Sequence, residues 1–252
     1  PGGVAAWLLR KPVVIHEQNA IPGLTNKLLG VIASRVLQGF PNSFKASLQA
    51  EWVGNPVRAC IAETAAPINR VEMVGGIRLL VLGGSLGAKS LNEILPRSLA
   101  LIGSSRNITV RHQCGQKHLG ECKKNYQQVG VQAEVTEFIS NMAEAYNWAD
   151  LVVCRAGALT IAELSAVGVA SILVPYPHAV DDHQTHNASA LLDVGAAVLI
   201  DESELDEKVL SNRIIELTSS SNNLFNMAVA AKTQSKPKAA VTIADICMAV
   251  SH

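Results

Sequence analysis

Two short runs in this chain have the residue types that meet negative charge. Gly83-Gly84-Ser85-Leu86-Gly87-Ala88 follows the apolar run 78–82 and leads into a helix-length amphipathic segment. Small residues there let the backbone approach a phosphate, while the N–H groups and dipole of the following helix face the charge. The placement suits a diphosphate; a tight packing turn is the competing reading of the same glycines. No Gly-Lys-Ser/Thr follows, so this is not a Walker A loop, and no acidic residue closes a second strand in the dinucleotide pattern, which argues against nicotinamide cofactors. A second turn of this kind spans Arg155-Ala156-Gly157-Ala158-Leu159-Thr160-Ile161-Ala162-Glu163. Glu163, expected on the first turn of its helix, would accept hydrogen bonds from a ribose diol or, alternatively, stabilise the helix N-terminus through the dipole.

Two polar clusters accompany these turns. His178, Asp181, Asp182, His183 and His186 offer His-x-x-His with nearby carboxylates, the donor set of a transition metal. The spacing lacks the i, i+4 face of metal-binding helices. It reads better as the cap of a helix whose Gln184 and Asn187 meet a polar ligand, so no metal is expected. His16-Glu17-Gln18-Asn19 follows a strand, where loop polar residues commonly serve function; a satisfied histidine and two surface groups are the plainer reading.

The elements that must position these groups are legible as hydrophobic runs. With 252 residues, 48% hydrophobic and 17% charged, the chain can bury one large or two modest cores. A net charge of zero, without blocks of like charge, provides no general attraction for nucleic acid. No apolar run approaches the ~20 residues of a membrane span. Five scattered cysteines without C-x-x-C spacing fit a reducing compartment rather than a disulfide framework. The opening Pro1-Gly2-Gly3 lacks an initiator Met and a signal-peptide pattern, and reads as a truncation inside a domain.

Strands are expected at 12–16, 35–38, 51–53, 78–82, 108–112, 134–137, 151–154, 171–174 and 197–200. Helices are expected at 24–32, 90–101, 115–128, 141–148, 160–167, 182–194, 204–218 and 239–250. This βαβ alternation, with run-like strands, implies a doubly wound parallel sheet covered on both faces. Gly54-Asn55-Pro56 is turn chemistry and marks a boundary. Residues 1–57 are then the remnant of one Rossmann-like domain, 58–236 a second, and 237–252 a helix packing back on the first. In such sheets ligands bind beyond the carboxyl ends of the strands, so both glycine-rich turns converge on one crevice.

Together these segments resemble the MurG family of glycosyltransferases over essentially the whole chain. Gly2-Gly3-Val4-Ala5-Ala6-Trp7 resembles that family's GPGG-x-x-A turn, His16 to Asn19 its HEQN, and Val53 to Arg58 its VGNPVR linker. Gly83 to Ala88 resembles its GGSxGA loop and Thr136-Glu137-Phe138-Ile139 matches its strand-to-helix turn. Cys154 to Glu163 matches its CRAGALT-x-x-E, and His178 to Ala188 its PHA-x-DDHQ-x-x-NA.

The resemblance implies an α/β GT-B fold of two Rossmann-like domains, the first incomplete here. It implies an inverting transfer of GlcNAc from UDP-GlcNAc to the 4-hydroxyl of undecaprenyl-diphospho-N-acetylmuramoyl pentapeptide, converting lipid I to lipid II. That step belongs to peptidoglycan synthesis, hence to cell-wall biogenesis, cell shape and division. By the same resemblance, backbone groups at Ile139 read the uracil edge and Glu163 the ribose. Ser85, Arg58 and Thr160, with the loop around Ala158, hold the diphosphate. Asn19, Gln184 and the 158–160 turn hold the sugar hydroxyls, and Leu159, Ile161 and Ala162 complete the donor-binding stretch. No cofactor is implied, since helix N-termini and an arginine stabilise the leaving UDP.

The family's favoured general base is a histidine in a glycine-rich loop that this sequence does not contain, which leaves His16 and Glu17 as substitutes. The implied partners are the donor, the lipid-linked acceptor and, peripherally, the cytoplasmic face of the bacterial inner membrane. Trp7-Leu8-Leu9-Arg10-Lys11 has the composition of a docking segment, or else of the buried face of a short helix. Alternatives are another GT-B transferase using a UDP-sugar and a lipid, such as a diacylglycerol glycosyltransferase, or a donor-binding subunit completed by a partner chain.

Overall fold

The computed structural model describes residues 1–64, 76–84 and 87–251; Ser85 lies outside the described residues. The chain begins with α1 (Gly2–Leu8), β1 (Val14–Glu17), α2 (Leu24–Gly30), β2 (Arg35–Gln38), β3 (Glu51–Trp52) and α3 (Ala59–Ala62). The three strands form a parallel sheet in the order β1-β2-β3. A small core of Val13, Ile15, Val36 and Phe44 lies beneath it.

The second unit runs β4 (Ile77–Leu82), α4 (Lys89–Ile102), β5 (Ile108–Gln113), α5 (Leu119–Gln128), β6 (Glu134–Thr136), α6 (Met142–Trp148), β7 (Leu151–Cys154), α7 (Ala158–Val167) and β8 (Ala170–Leu173). It continues through α8 (His183–Leu192), β9 (Ala197–Leu199), α9 (Glu207–Leu217), α10 (Ser221–Thr233) and α11 (Ala239–Ala249). Six parallel strands order as β6-β5-β4-β7-β8-β9. The chain runs outward from β4 to β6 and returns on the other side as β7, so the switch point lies between β4 and β7.

Apolar residues at nearly every position of β4, β7 and β8 allow burial on both faces. Leu79, Val81, Val153 and Ile172 meet Leu91 and Leu95 of α4 and Leu210 and Ile214 of α9. On the other face Leu80, Val152 and Leu173 meet Tyr146 of α6, Leu164 of α7, Leu191 of α8 and Ala231 of α10. Ile61 of α3 is fully buried in this second core, which seats Arg58, the residue before α3, beside α6 and α7.

Three elements depart from expectation. Helix α7 begins at Ala158 with extended Gly157 as its cap, so Glu163 falls in the second turn and not the first. Because the dipole acts mainly within the first turn, the helix-stabilising reading of Glu163 is weakened. Helix α10 was not anticipated: Ser220 caps it by accepting from Asn222 N, and Leu224, Met227, Ala228 and Ala231 form its buried stripe. Half of that stripe is alanine, which blunts the periodic contrast. Helix α1 occupies the expected turn and buries none of its residues, so Trp7, Leu8 and Leu9 are not a core face.

Lys236, just before α11, places its Nζ 3.8 Å from the centre of the Trp52 ring, and Ala239 is the one buried residue of α11.

The starts of β4 and β7 are joined by charge. The buried Asp150 carboxylate accepts from Arg78 N at 2.8 Å, Nε at 3.0 Å and Nη2 at 2.6 Å. Asp150→Ala should cost about 2 kcal/mol, less than a fully buried pair because Arg78 reaches solvent. Urea unfolding would show this as a lowered midpoint; an unchanged midpoint would contradict it.

Candidate functional site

Leu82 and Cys154 are register partners at the ends of β4 and β7, so the two glycine-rich turns leave the sheet side by side. The first is shaped by close approach. Gly87 has φ +79°, and a Cβ there would stand 2.4 Å from the Cys114 carbonyl oxygen, so no other residue fits without displacing backbone. Gln113 Nε2 donates to the Gly84 carbonyl at 3.0 Å, tying the turn to β5.

A cleft opens over these exits, with Arg58, Gly84, Phe138, Tyr146, Thr160 and Glu163 among its walls. Within it Glu163 Oε2 accepts from the Tyr146 hydroxyl at 3.0 Å, and Glu163 Oε1 lies 3.6 Å from Arg58 Nη2. Arg58 is more than half exposed, so this long ion pair is weak and leaves its guanidinium free to turn toward a bound anion. Burial, reinforced by the Glu163 charge, pushes the Tyr146 phenol well above its ordinary range and keeps it a donor. The same two causes push the Cys154 thiol up to about 12, which makes it inert rather than nucleophilic.

The other wall is organised by α8. Gln184 Oε1 accepts from Ala156 N at 3.2 Å and from Tyr176 N at 2.9 Å. Asn187, almost fully buried, donates through Nδ2 to the Ala156 carbonyl at 3.3 Å and to Asn19 Oδ1 at 3.2 Å. Its Oδ1 accepts from Ala20 N at 2.8 Å. A single amide thus joins the HEQN segment of the first sheet to the turn after β7. Asn55 adds a second tie by donating to the Gln18 carbonyl at 2.9 Å.

Of the residues marked in the sequence, Arg58, Thr160 and Glu163 surround the cleft, with Ile139 beyond Phe138 at the turn before α6. Asn19 and Gln184 are drawn to the same place through Ala156. Ala158 and the exposed Leu159 lie in the first turn of α7, where N–H groups lack intrahelical partners. Ile161 and Ala162 face elsewhere. Ile161 is buried in the core with its N–H on the Gly157 carbonyl at 2.9 Å, and Ala162 lines a separate crevice beside Trp52 and Asn55.

The two substitute bases have other work. Glu17 is buried and accepts from Asn19 N (2.9 Å), Asn19 Nδ2 (3.4 Å), Gly23 N (3.0 Å) and Asn26 Nδ2 (2.9 Å). His16 Nε2 lies 3.0 Å from the Gly54 carbonyl oxygen. Both hold the loop and linker in place.

Asp181 and Asp182 adopt left-handed φ of 52° and 51° ahead of α8, a strained conformation for non-glycine residues. Asp182 does not cap a backbone N–H; its Oδ1 accepts from Thr185 Oγ1 at 2.7 Å. Among the described residues no group of three or more His, Cys, Asp or Glu is arranged to hold a metal ion. Asn187, expected to meet a polar ligand, is instead buried on Asn19, Ala20 and Ala156, while Tyr146 and Arg155 were missed as site residues. Arg155 binds Glu202, Ser90 Oγ and the Val174 and Pro175 carbonyls, linking the turn after β7 to α4 and β8.

Residues 78–243 match the glycosyltransferase family 28 C-terminal domain and residues 1–38 the family 28 N-terminal domain. The UDP-N-acetylglucosamine--N-acetylmuramyl-(pentapeptide) pyrophosphoryl-undecaprenol N-acetylglucosamine transferase of Dechloromonas aromatica is 50% identical over 252 residues, covering 100% of this chain and 70% of that protein. The protein of the same name from Coxiella burnetii is 46% identical over 248 residues, 98% of this chain and 69% of that one. The crystal structure of Acinetobacter baumannii MurG superposes with a TM-score of 0.89 at 40% identity, over 98% of this chain and 69% of that chain. A UDP-GlcNAc 2-epimerase from Neisseria meningitidis shares the fold alone, with a TM-score of 0.66 at 11% identity. With both domain models matched in order and relatives at this identity along its whole length, the chain belongs to glycosyltransferase family 28, among the MurG-type transferases.

Proposed function

We propose that the cleft beyond β4 and β7 holds UDP-GlcNAc, for the transfer of GlcNAc to the muramyl-pentapeptide lipid that the relatives' name describes. The chain is a MurG-type UDP-GlcNAc transferase acting in peptidoglycan synthesis, and at 46–50% identity the diacylglycerol-type and subunit readings lose their ground. The observation that carries the donor site is the meeting, in one cleft, of two anion-receptive turns from adjacent strands with the partly buried Glu163 carboxylate.

In this reading the diphosphate lies across the turn after β4 and the N-terminus of α7, with Arg58 swinging onto it. The Glu163 carboxylate accepts from the ribose hydroxyls, and the backbone at Ile139 reads the uracil edge. Asn19 and the Gln184 carboxamide NH₂ reach the sugar. The acceptor 4-hydroxyl attacks the anomeric carbon from the face opposite UDP, and the C–O bond to the diphosphate breaks with inversion. Fixed N–H dipoles and the guanidinium meet the charge that develops on UDP, without reorganising as it forms. Glu17, saturated by four donors, and His16, engaged on Gly54, are not offered as the base that takes the hydroxyl proton.

Peripheral docking on a cytoplasmic membrane face is supported by α1. Trp7, Leu8 and Leu9 are 50%, 68% and 73% exposed, followed by exposed Arg10 and Lys11. Leu24, Leu28 and Val31 of the neighbouring α2 region are exposed as well. An apolar cluster edged by cations suits shallow insertion at an anionic surface. Among the described residues no helix is long and apolar enough to cross a membrane.

Calorimetry should show UDP-GlcNAc binding in preference to ADP-sugars, and Glu163→Ala should weaken it by about 1.5 to 3 kcal/mol, the worth of hydrogen bonds to a carboxylate. Equal affinity for uracil and adenine nucleotides would remove the Ile139 assignment. Chelators should leave this binding intact; stoichiometric metal in the purified protein, with affinity lost on its removal, would refute that. In sedimentation with anionic vesicles, Trp7→Ala combined with Arg10→Glu should reduce binding several-fold. Undiminished binding by the folded variant would rule this segment out as the anchor.

A further inference from the structure

The Glu163 carboxylate stands in the proposed donor cleft on a flexible side chain, and something must fix its rotamer. Tyr146 does so from α6. Its ring is fully enclosed in the core shared by Leu80, Val152 and Leu164, and only its hydroxyl reaches the cleft wall, 3.0 Å from Glu163 Oε2. The ring is immobile because it is packed, so the hydroxyl is a fixed point. On the other side Arg58 approaches Oε1 only to 3.6 Å and from a mostly exposed position, which sets no geometry.

We infer that Tyr146 is the positioning residue of the donor site: its buried hydroxyl orients the Glu163 carboxylate so that a nucleotide's ribose diol meets a preformed pair of acceptors. The inference rests on Glu163 being the ribose ligand. An ionised carboxylate has about four acceptor directions, so one spent on Tyr146 leaves the rest for two ribose hydroxyls. The hydroxyl stays protonated throughout the range in which proteins fold, because burial and the adjacent carboxylate both oppose its ionisation. Preorganisation of this kind acts on affinity for the ribose and not on the reacting carbon, since the interaction is equal in the bound and transition states.

The test compares UDP with 2′-deoxy-UDP, which lacks one of the hydroxyls Glu163 would accept. Calorimetry is run on the wild type, Tyr146→Phe, Glu163→Ala and the double variant, each first checked by thermal unfolding. Phenylalanine keeps the ring that fills the core. Wild type should prefer UDP about ten-fold, the order expected of a hydrogen bond to a charged group. Tyr146→Phe should weaken UDP three- to ten-fold, leave 2′-deoxy-UDP nearly unchanged, and so shrink the preference. In the Glu163→Ala background the same change should have no further effect, because the two residues act through one contact.

Equal weakening of both nucleotides by Tyr146→Phe, or an undiminished preference, would overturn the positioning role while leaving Glu163 as the ribose ligand. A preference that survives Glu163→Ala would overturn the ribose assignment itself, and the role of Tyr146 with it. Should Tyr146→Phe fail to fold, Glu163→Gln decides. Its neutral carboxamide still accepts from Tyr146 through the oxygen, so it should keep part of the UDP preference that Glu163→Ala loses, and identical behaviour of the two variants would refute the inference.

Discussion

The geometry of the cleft depends on how the backbone N–H and C=O of one residue, Ala156, are satisfied. Where a buried parallel strand ends, its last polar groups leave the ladder and must find partners, since an orphaned one costs as much as a lost hydrogen bond. Here α8 supplies both partners, Gln184 accepting the N–H and Asn187 donating to the carbonyl. An amide both donates and accepts, so Asn187 extends the same satisfaction to Asn19 and Ala20 across the sheets. The turn that opens α7, the loop carrying Asn19 and the start of α8 are therefore tied together by hydrogen bonds.

The distribution of charge follows from burial. Buried groups near the cleft are kept neutral: Tyr146 stays a phenol and Cys154 a thiol. Farther along the sheet, desolvation lowers the His112 pKa to about 3, so that ring stays uncharged as well. The charges that remain at the cleft are Glu163 and Arg58, each with solvent access, along with Arg155, which is turned away onto Glu202 and Ser90. In the proposed site an incoming diphosphate would meet helix N–H dipoles and, among the described residues, the exposed Arg58 guanidinium.

The sheet was legible because strands buried on both faces leave contiguous apolar runs. Residues 151–154 and 78–82 appear in the structure within a residue of where those runs place them. Helix α10 was not legible, since its alanine-rich stripe differs little in hydropathy from its exposed face. The polar clusters were visible as residues but not as roles. His16 and Glu17 have the chemistry of catalytic groups, and only the folded chain brings them onto Gly54, Gly23 and Asn26. Tyr146 and Glu163 belong to different helices, and no periodicity connects them. Glu163 falls one turn deeper in its helix than expected, because Gly157 is the cap and the helix starts at Ala158, ahead of the expected start at Thr160.

We place the uridine donor across the switch point between β4 and β7. A crystal structure of this chain with UDP-GlcNAc measures that directly. Uracil is expected against the backbone at Ile139, the ribose diol on Glu163, and the diphosphate between the Gly83–Gly84 turn and the first turn of α7, with Arg58 withdrawn from Glu163 onto a phosphate. A nucleotide bound elsewhere, or bound there with its base toward α8 and its ribose away from Glu163, would contradict it.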